Sequence, residues 1–369
     1  MPLAQTSPSP LPGTAKELPV PEGLFPPGVI ATGGKVTIAD VARAAGVSTT
    51  AVSYALNGKG RIPDATRQSV LETAKQLGYE ANYFAQRIKG GCSNTVAFFA
   101  SDLAGVAGEK LGRIQQELIR RGFSAPLHGL GFATEQEQAE AVKQLRRQRP
   151  RAIVCGGNIP EPALDELRRF RDEEGILVCY DQIYPPDIEQ VNLDRELGSY
   201  QATRHLLEQG HRDIGISIHN NDPAENHQIR GFKRALQEAG VPFQQQWNCP
   251  FYPFELAGKA LAAQFQGMSR RPTAFYVVDD RVATTFVHYL LRAGLKVPQD
   301  VSVVTHDQAG VAEHCLIPLT IVSHPTAQVV SSVVAMVMSR LEQQYDGPIR
   351  HAVISGQLVE RESVGFLAK

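Results

Sequence analysis

Hydroxyl-bearing side chains are concentrated in one short stretch of the sequence, within the segment TIADVARAAGVSTTAVSYALN at positions 37–57. Hydroxyl groups both donate and accept hydrogen bonds, as recognition of base edges in a DNA major groove requires. If the stretch is helical, residues one turn apart share a face, so four of these side chains point outward together. They are Thr49, Thr50, Ser53 and Tyr54. The stretch is therefore predicted to read DNA bases.

Two short helices separated by a glycine are predicted to position these hydroxyls. Thr37 can cap the first helix, Gly46 ends it, and Ser48 caps the second. The residues spaced to face inward are Ile38, Val41, Ala42, Ala45, Val47, Val52, Ala55 and Leu56. This pattern is typical of a helix-turn-helix, whose second helix enters the major groove. An ordinary helical hairpin is the alternative.

A third amphipathic helix follows, from Asp64 to Leu77. Its apolar residues, which are predicted to close a three-helix core, are Val70, Leu71, Ala74 and Leu77. Between Lys35 and Gly91, eight basic and four acidic residues give a net charge of +4, in a chain whose formal net charge is −1. Positive charge suits contact with phosphates, which supplies much of the affinity of DNA-binding proteins. The charge favours DNA binding over the helical hairpin.

Two long segments, TIADVARAAGVSTTAVSYALNG and IPDATRQSVLETAKQLGYEANYFAQRIKG, resemble the DNA-binding head of the lactose/galactose repressor family. HLLEQGHRDIGI and DDRVATTFVHYLLRAGLKVPQDVSVVTHD resemble that family's effector-binding core, and only roughly the first 34 residues lie outside the resemblance. The resemblance implies a transcription regulator, acting as a repressor, that binds a pseudo-palindromic double-stranded DNA operator as a homodimer. It also implies a small-molecule effector and a cytoplasmic location without membrane attachment.

A short helix is predicted from Asn82 to Gly90, before the glycine pair Gly90-Gly91. The resemblance implies that this segment is a hinge helix, which orders on DNA and inserts Ile88 into the minor groove as an apolar wedge. A plain linker is the alternative. Helix geometry and the resemblance together assign DNA contact to Thr37, Ser48, Thr49, Thr50, Ser53, Tyr54, Asn57, Arg61, Asn82, Ala85 and Ile88.

Beyond the hinge, short apolar strands such as VAFFA, AIVCG and ILVCY alternate with amphipathic helices. This alternation predicts an α/β fold of parallel sheets covered by helices on both faces. The resemblance implies a bilobed, periplasmic-binding-protein-like body of two such doubly wound sheets, with a late strand from Ala352 to Val359. The expected parts are a disordered proline-rich tail (1–34), the head (35–81), the hinge and linker (82–94), the body (95–369), its first lobe (about 95–192 plus 324–350) and its second lobe (about 193–323 plus 351–369).

Polar residues that directly follow the strands are the candidates for ligand binding, because open parallel sheets bind ligands beyond the carboxyl ends of their strands. The resemblance implies that Arg230 and Asp307 hold the effector, expected to be a sugar or sugar derivative. Asp279 stands where many relatives have asparagine, and this difference leaves the identity of the ligand undecided. A nucleoside or nucleobase is the alternative to a sugar. A helix N-cap is the other interpretation of a strand-end aspartate. The predicted effector-binding residues are Asp102, Asp181, Arg230, Asp279 and Asp307.

Several other classes of protein are disfavoured by the sequence. The five cysteines are scattered and lack CxxC spacing, which fits a reducing cytoplasm better than a disulfide scaffold or a zinc site. The glycine-rich segments lack the GK[ST] ending of a phosphate loop, and GxSxG and HExxH motifs are absent. No enzymatic activity, cofactor or metal is therefore expected.

A bilobed solute-binding protein is the alternative from a different class. It would need an export signal, and the proline-rich N-terminus lacks the basic and apolar regions of one. A helix-turn-helix would also have no function in such a protein.

Phe251, Tyr252 and Phe254, which could stack on a sugar ring, are predicted to lie in a proline-broken loop.

Overall fold

The chain has 369 residues and is represented by a computed structural model. It divides into two units, Met1–Lys89 and Gly90–Lys369. The first unit contains α1 (Ile38–Ala45), α2 (Thr49–Asn57) and α3 (Asp64–Gln76). The predicted tail and hinge helix lie outside the described residues, which are 36–57, 62–79, 94–100, 103–129, 134–219, 227–250 and 254–367.

Local signals in the sequence determine where α1 begins and ends. The Thr37 side chain accepts a hydrogen bond from the Asp40 backbone N–H, and the Asp40 carboxylate accepts one from the Thr37 backbone, which completes a capping box. Gly46 ends α1 with a φ of 67°, in the left-handed region that glycine adopts at low cost. The predicted caps of α1 are confirmed.

A small apolar core holds the three helices of the head together. Val41, Val52 and Val70, one from each helix, are fully buried in it. Leu71 is 44% exposed, so the prediction that it closes this core is wrong. Consecutive residues of a helix point about 100° apart, and Val70 already occupies the inward direction.

The second unit, the body, contains two separate sheets. In the first, the order is β10-β5-β4-β3-β1-β2 and every pairing is parallel; in the second it is β11-β9-β8-β7-β6, with only β11 antiparallel. The strands are β1 (Val96–Ala100), β2 (Leu127–Gly129), β3 (Ala152–Gly156), β4 (Ile176–Tyr180), β5 (Glu189–Leu193), β6 (Ile214–Ser217), β7 (Ala274–Val277), β8 (Ser302–His306), β9 (Thr320–Val322), β10 (His351–Ile354) and β11 (Leu358–Val359).

Amphipathic helices cover both sheets. No helix among the described residues is long and apolar enough to span a bilayer. The helices of the body are α4 (Gly105–Arg120), α5 (Glu135–Arg147), α6 (Glu161–Asp172), α7 (Arg195–Glu208), α8 (His227–Glu238), α9 (Phe254–Gly267), α10 (Asp280–Arg292) and α11 (Thr326–Leu341).

Alternate residues of β1 contribute to cores on opposite faces of the first sheet. Phe98 packs in the core beneath α4 and α11, whereas Phe99 packs in the core beneath α5 and α6. Both side chains are fully buried. A strand covered on both faces needs an uninterrupted apolar run, as the sequence VAFFA has.

The second lobe has a core rich in aromatic side chains. Phe265, Phe275 and Phe286 meet edge to face, with ring centroids 5.5 to 6.0 Å apart. Phe265 belongs to α9, a helix that begins at Phe254, so the prediction that Phe254 lies in a loop is wrong. Phe251 and Tyr252 lie outside the described residues.

The late strand predicted from Ala352 to Val359 is in fact two strands in different sheets. His351–Ile354 pairs with β5 in the first sheet, and Leu358–Val359 pairs with β9 in the second. The assignment of residues 351–354 to the second lobe is therefore wrong, because a short crossing segment separates the two strands. In the described chain, crossings between the sheets follow β5, β9 and β10.

Candidate functional sites

The outward side of α2 carries most of the hydroxyls predicted to read DNA. Thr49, Thr50 and Tyr54 are exposed, Tyr54 to 43%, whereas Ser53 is half-buried. The Ser48 hydroxyl accepts a hydrogen bond from the Ala51 backbone N–H at 3.1 Å, so it caps the helix as predicted. The three exposed side chains form a polar surface near the start of the helix.

Thr37, a predicted DNA contact, has a structural task in the head. Its hydroxyl donates to Asp40 Oδ2 at 2.6 Å. This hydrogen bond, followed by the one from the Thr37 backbone, lowers the pKa of the Asp40 carboxyl below its usual value. The carboxylate lies in the first turn of α1, where the helix dipole stabilises a negative charge.

Arg67 has a role that the sequence did not indicate. Its guanidinium donates to the backbone oxygens of Tyr54 and Ala55, each at 3.3 Å, and so fastens α3 to the second half of α2. Every residue type has a backbone oxygen, so the sequence of α2 does not reveal which of its residues accept these hydrogen bonds. Asn57 is the last residue of α2. The remaining predicted DNA contacts, Arg61, Asn82, Ala85 and Ile88, lie outside the described residues.

In the body, Asp181 directly follows β4 and is buried. Its backbone has a φ of 72°, which is uncommon for any residue with a side chain. Oδ2 of Asp181 forms an ion pair with Lys110 Nζ, and its backbone oxygen accepts a hydrogen bond from Arg195 at 2.6 Å. Asp102, the equivalent candidate after β1, lies outside the described residues.

Lys110 is a buried cation that no motif in the sequence indicated. It lies on α4 and is 2% exposed. Its Nζ is 3.1 Å from His324 Nε2, in the crossing segment that follows β9. Burial, followed by the charge of Lys110, lowers the pKa of His324 to about 2, so this imidazole is neutral at physiological pH.

Asp279 adopts the alternative role of a helix cap. Its Oδ1 accepts hydrogen bonds from the backbone N–H groups of Arg281 at 2.9 Å and Val282 at 3.4 Å, at the start of α10. The Arg281 guanidinium also pairs with Oδ2 of Asp279 at 2.7 Å. The carboxylate therefore stabilises the N-terminus of α10 and binds a cation from the same turn.

Asp280 is fully buried and holds the loop that follows β8. Its carboxylate accepts three backbone N–H bonds, from Gln308 at 3.2 Å, Ala309 at 2.9 Å and Val311 at 2.9 Å. The loop contacts the first lobe, because the Val106 backbone N–H donates to the Gln308 oxygen at 3.2 Å. Asp280 thus positions a bridge between the lobes.

A small residue lets the two lobes approach at this bridge. Gly105, at the start of α4, has a φ of 53°, and a Cβ there would lie 2.7 Å from the Cα of Ala309. Such a separation is far shorter than ordinary van der Waals contact, so a side chain would push the lobes apart.

Asp307 and Arg230, the two residues expected to hold an effector, have different surroundings. Asp307 Oδ1 accepts the Gly310 backbone N–H at 3.1 Å, and burial, then the charge of Asp280, raises the pKa of Asp307 above its usual value. Arg230 lies on α8, 42% exposed at its side chain, and its Nε is 3.1 Å from a carboxylate oxygen of Glu196 on α7.

One predicted effector-binding residue, Asp307, lines a cavity of about 20 Å³, which is enough for a single water molecule. Arg195, Asp307 and His324 line it, and Arg195 links it to Asp181 through the backbone oxygen of that residue. The structure therefore brings Asp181 and Asp307 to one region, at the carboxyl ends of strands from both sheets. Arg230 is fastened to α7 by Glu196 instead.

Comparisons with known proteins agree with this architecture. Residues 37–82 match the bacterial regulatory proteins of the lacI family, and residues 203–364 match a periplasmic binding protein-like domain. The HTH-type transcriptional regulator DegA of Bacillus subtilis is 30% identical over 297 residues, which cover 79% of this chain and 87% of DegA. The HTH-type transcriptional repressor PurR of Vibrio cholerae is 28% identical over 337 residues, covering 90% of this chain and 99% of PurR.

Solved structures show the same fold. A Lac repressor dimer bound to operator and the anti-inducer ONPF superposes with a TM-score of 0.79 at 21% identity, over 90% of this chain and all of the other. The transcriptional regulator CelR in complex with cellobiose superposes with a TM-score of 0.65 at 24% identity, over 89% of this chain and all of the CelR chain. A LacI-family regulator from Enterococcus faecium with bound ribose superposes with a TM-score of 0.64 at 19% identity, over 74% of this chain and all of the other. With its helix-turn-helix head and binding-protein-like body, the chain belongs to the lacI family of bacterial regulatory proteins, as a DNA-binding transcriptional regulator and not an enzyme.

Proposed function

We propose that this regulator is a repressor whose operator affinity is set by a sugar or sugar derivative bound between the two lobes of the body. The supporting observation is the bridge from Val106 in the first lobe to Gln308 in the second, directly after Asp307. Ligands of open parallel sheets bind at this edge. A molecule bound there contacts both lobes and changes their relative pose.

The class of effector is supported by the structural neighbours. Two of them are described as complexes with cellobiose and with ribose. Sugars present many hydroxyls, which suit the carboxylates of Asp181 and Asp307 as acceptors. A nucleoside or nucleobase remains the alternative ligand.

The operator is proposed to be pseudo-palindromic and to be bound by a homodimer in the cytoplasm. The Lac repressor neighbour was solved as a dimer on its operator, which supports this arrangement. Each head would place α2 in the major groove of one half-site, because recognition helices of this motif read bases with their N-terminal residues. The hinge segment would add a minor-groove contact.

The test is a measurement of operator affinity with and without sugars, on an operator selected from random DNA. Ligand and operator must influence each other by the same free energy, typically about 1 to 3 kcal/mol, or roughly 5- to 150-fold in affinity. Asp307→Asn is expected to reduce the response while leaving operator binding in the absence of sugar unchanged. If sugars that bind the body left operator affinity unaltered, effector control would be refuted.

Tyr54 is proposed to select a base, so replacing it should change the operator sequence. Arginine at this exposed position of α2 could form two hydrogen bonds with guanine, worth about 1 to 3 kcal/mol of discrimination, which tyrosine cannot do. Tyr54→Arg is therefore expected to change the preferred base at one symmetric pair of positions in a binding selection.

Leu71→Arg is the matched control, because Leu71 is as exposed as Tyr54 but lies on α3. It adds the same charge to the head and should strengthen binding to all sequences alike. The same selected motif in wild type and Tyr54→Arg would show that Tyr54 does not read bases.

A further inference from the structure

Lys110 occupies a position where the pattern of its helix demands an apolar side chain. On α4 the inward-facing residues one turn apart are Val106, Lys110, Ile114 and Leu118. The other three are apolar and buried, and Lys110 is buried with them. Placing an ammonium group in such an environment costs free energy unless it is paired. Packing alone therefore does not explain why a lysine occupies this position.

The ammonium group joins three elements of the body. It pairs with Asp181 after β4, lies 3.1 Å from His324 Nε2 in the crossing segment, and is 5.9 Å from the centre of the Tyr180 ring. His324 also lines the small cavity beside Asp307 and Arg195. The cluster of Lys110, Asp181 and His324 therefore lies at the boundary between the first lobe and the proposed effector region.

Two buried atoms of this cluster lack partners among the described residues. Asp181 Oδ1 accepts no hydrogen bond, although Asp181 is more than nine-tenths buried. An ammonium group only donates, so His324 Nε2 is the acceptor and its Nδ1 carries the proton of the neutral ring. His324 Nδ1 is also buried without a partner. The cluster offers one unused acceptor and one unused donor.

The charges around the cluster leave no excess of positive charge. Lys110 neutralises Asp181. The cavity beside the cluster is lined by one arginine, Arg195, and two aspartates, Asp194 and Asp307. An anionic ligand would add a further negative charge in a buried region, which costs free energy unless a cation pairs with it. An uncharged molecule with hydroxyl groups would satisfy both unused atoms without adding charge, because a hydroxyl can donate or accept.

We propose that Lys110, Asp181 and His324 form a polar wall of the effector site, and that the effector is an uncharged polyhydroxylated molecule. One hydroxyl donates to Asp181 Oδ1 and another accepts from His324 Nδ1. The proposal rests on the function proposed above and narrows it, since sugar phosphates and sugar acids would be poor ligands. Lys110 holds the Asp181 carboxylate in place through their ion pair.

The first test is calorimetry on the full-length protein with ribose, glucose and cellobiose, beside glucose 6-phosphate and gluconate as anionic probes and hypoxanthine as a nucleobase. An uncharged sugar is expected to bind at least about tenfold more tightly than either anion, because of the buried charge that an anion would add. Preferential binding of glucose 6-phosphate or gluconate would overturn the proposal. If that anion also altered operator affinity, the proposed function would stand.

The second test uses Lys110→Met, Asp181→Asn and the double variant. Lys143→Met is the control, because Lys143 is an ion-paired lysine whose side chain is partly exposed. Each single variant is expected to lose about tenfold or more in sugar affinity, since a hydrogen-bonded charge is removed or left unpaired. In the double variant thermal stability should recover, because no unpaired charge remains, while sugar affinity stays low.

Wild-type affinity in Lys110→Met and Asp181→Asn would overturn the proposal. If the single variants fail to fold, the proposal is tested by the sugar affinity of the double variant and by the preference of the wild type for uncharged sugars over the anionic probes. Preference for hypoxanthine over every sugar would also overturn it and favour a nucleobase effector. If none of the probes bound or changed operator affinity, the proposed function and this inference would fall together.

Discussion

A chain that begins at residue 91 is expected to show no measurable operator binding, while its body remains folded. The exposed side chains of α2, Thr49, Thr50 and Tyr54, belong to the first unit, Met1–Lys89. The excess of basic residues is in the same part of the sequence. Removing this part is expected to eliminate the predicted base contacts and most of the predicted phosphate contacts together. Fluorescence anisotropy on labelled operator measures the loss.

The control is the full-length chain under the same conditions. Its affinity should fall by roughly tenfold or more between 50 and 200 mM salt, because each phosphate contact releases counterions. The truncated body should still unfold cooperatively, since its cores lie within residues 96–354 in the first lobe and 202–364 in the second. Operator binding by the truncated chain, or salt-independent binding by the full chain, would refute the assignment of the head.

Asp280→Ala is expected to destabilise the body by about 3 to 5 kcal/mol. Three backbone N–H groups, of Gln308, Ala309 and Val311, would lose their acceptor, and each buried donor left unpaired costs about 1 to 3 kcal/mol. The lower part of the combined range is expected, because the loop can relax towards water. Urea unfolding of the truncated body measures the change.

Asp300→Ala is the matched control for this prediction. Asp300 is exposed and accepts one backbone N–H, from Lys296 at 2.6 Å, so its loss should cost about 1 kcal/mol or less. Asp280→Asn, which keeps the shape and one acceptor oxygen, should lie between the two. An effect of Asp280→Ala no larger than that of Asp300→Ala would mean that the loop does not depend on this carboxylate.

Weakening the loop should also weaken communication between the lobes, since Gln308 accepts the hydrogen bond from Val106. A milder variant, Asp280→Asn, is therefore expected to retain operator binding but respond less to a ligand. The response is the ratio of operator affinities measured with and without that ligand.

The sequence by itself determined the elements whose causes are local. Thr37 and Asp40 are three residues apart and form the capping box of α1, and Gly46 supplies the left-handed turn that ends this helix. The apolar spacing of α2 and the uninterrupted apolar run VAFFA are likewise visible over a few neighbouring residues. Errors arose where the pattern allowed two interpretations, as for Leu71 beside Val70, because adjacent apolar residues do not show which one faces the core.

Only the tertiary structure decided which distant residues meet. Lys110 pairs with Asp181, 71 residues away, and contacts His324, 214 residues away. Strand β10 joins the first sheet and β11 the second, although three residues separate them. Capping and periodicity act over one or two helical turns, so they can be read from neighbouring residues. The cluster around Lys110 depends instead on how the crossing segments bring separate elements together, and that packing is a property of the whole folded body.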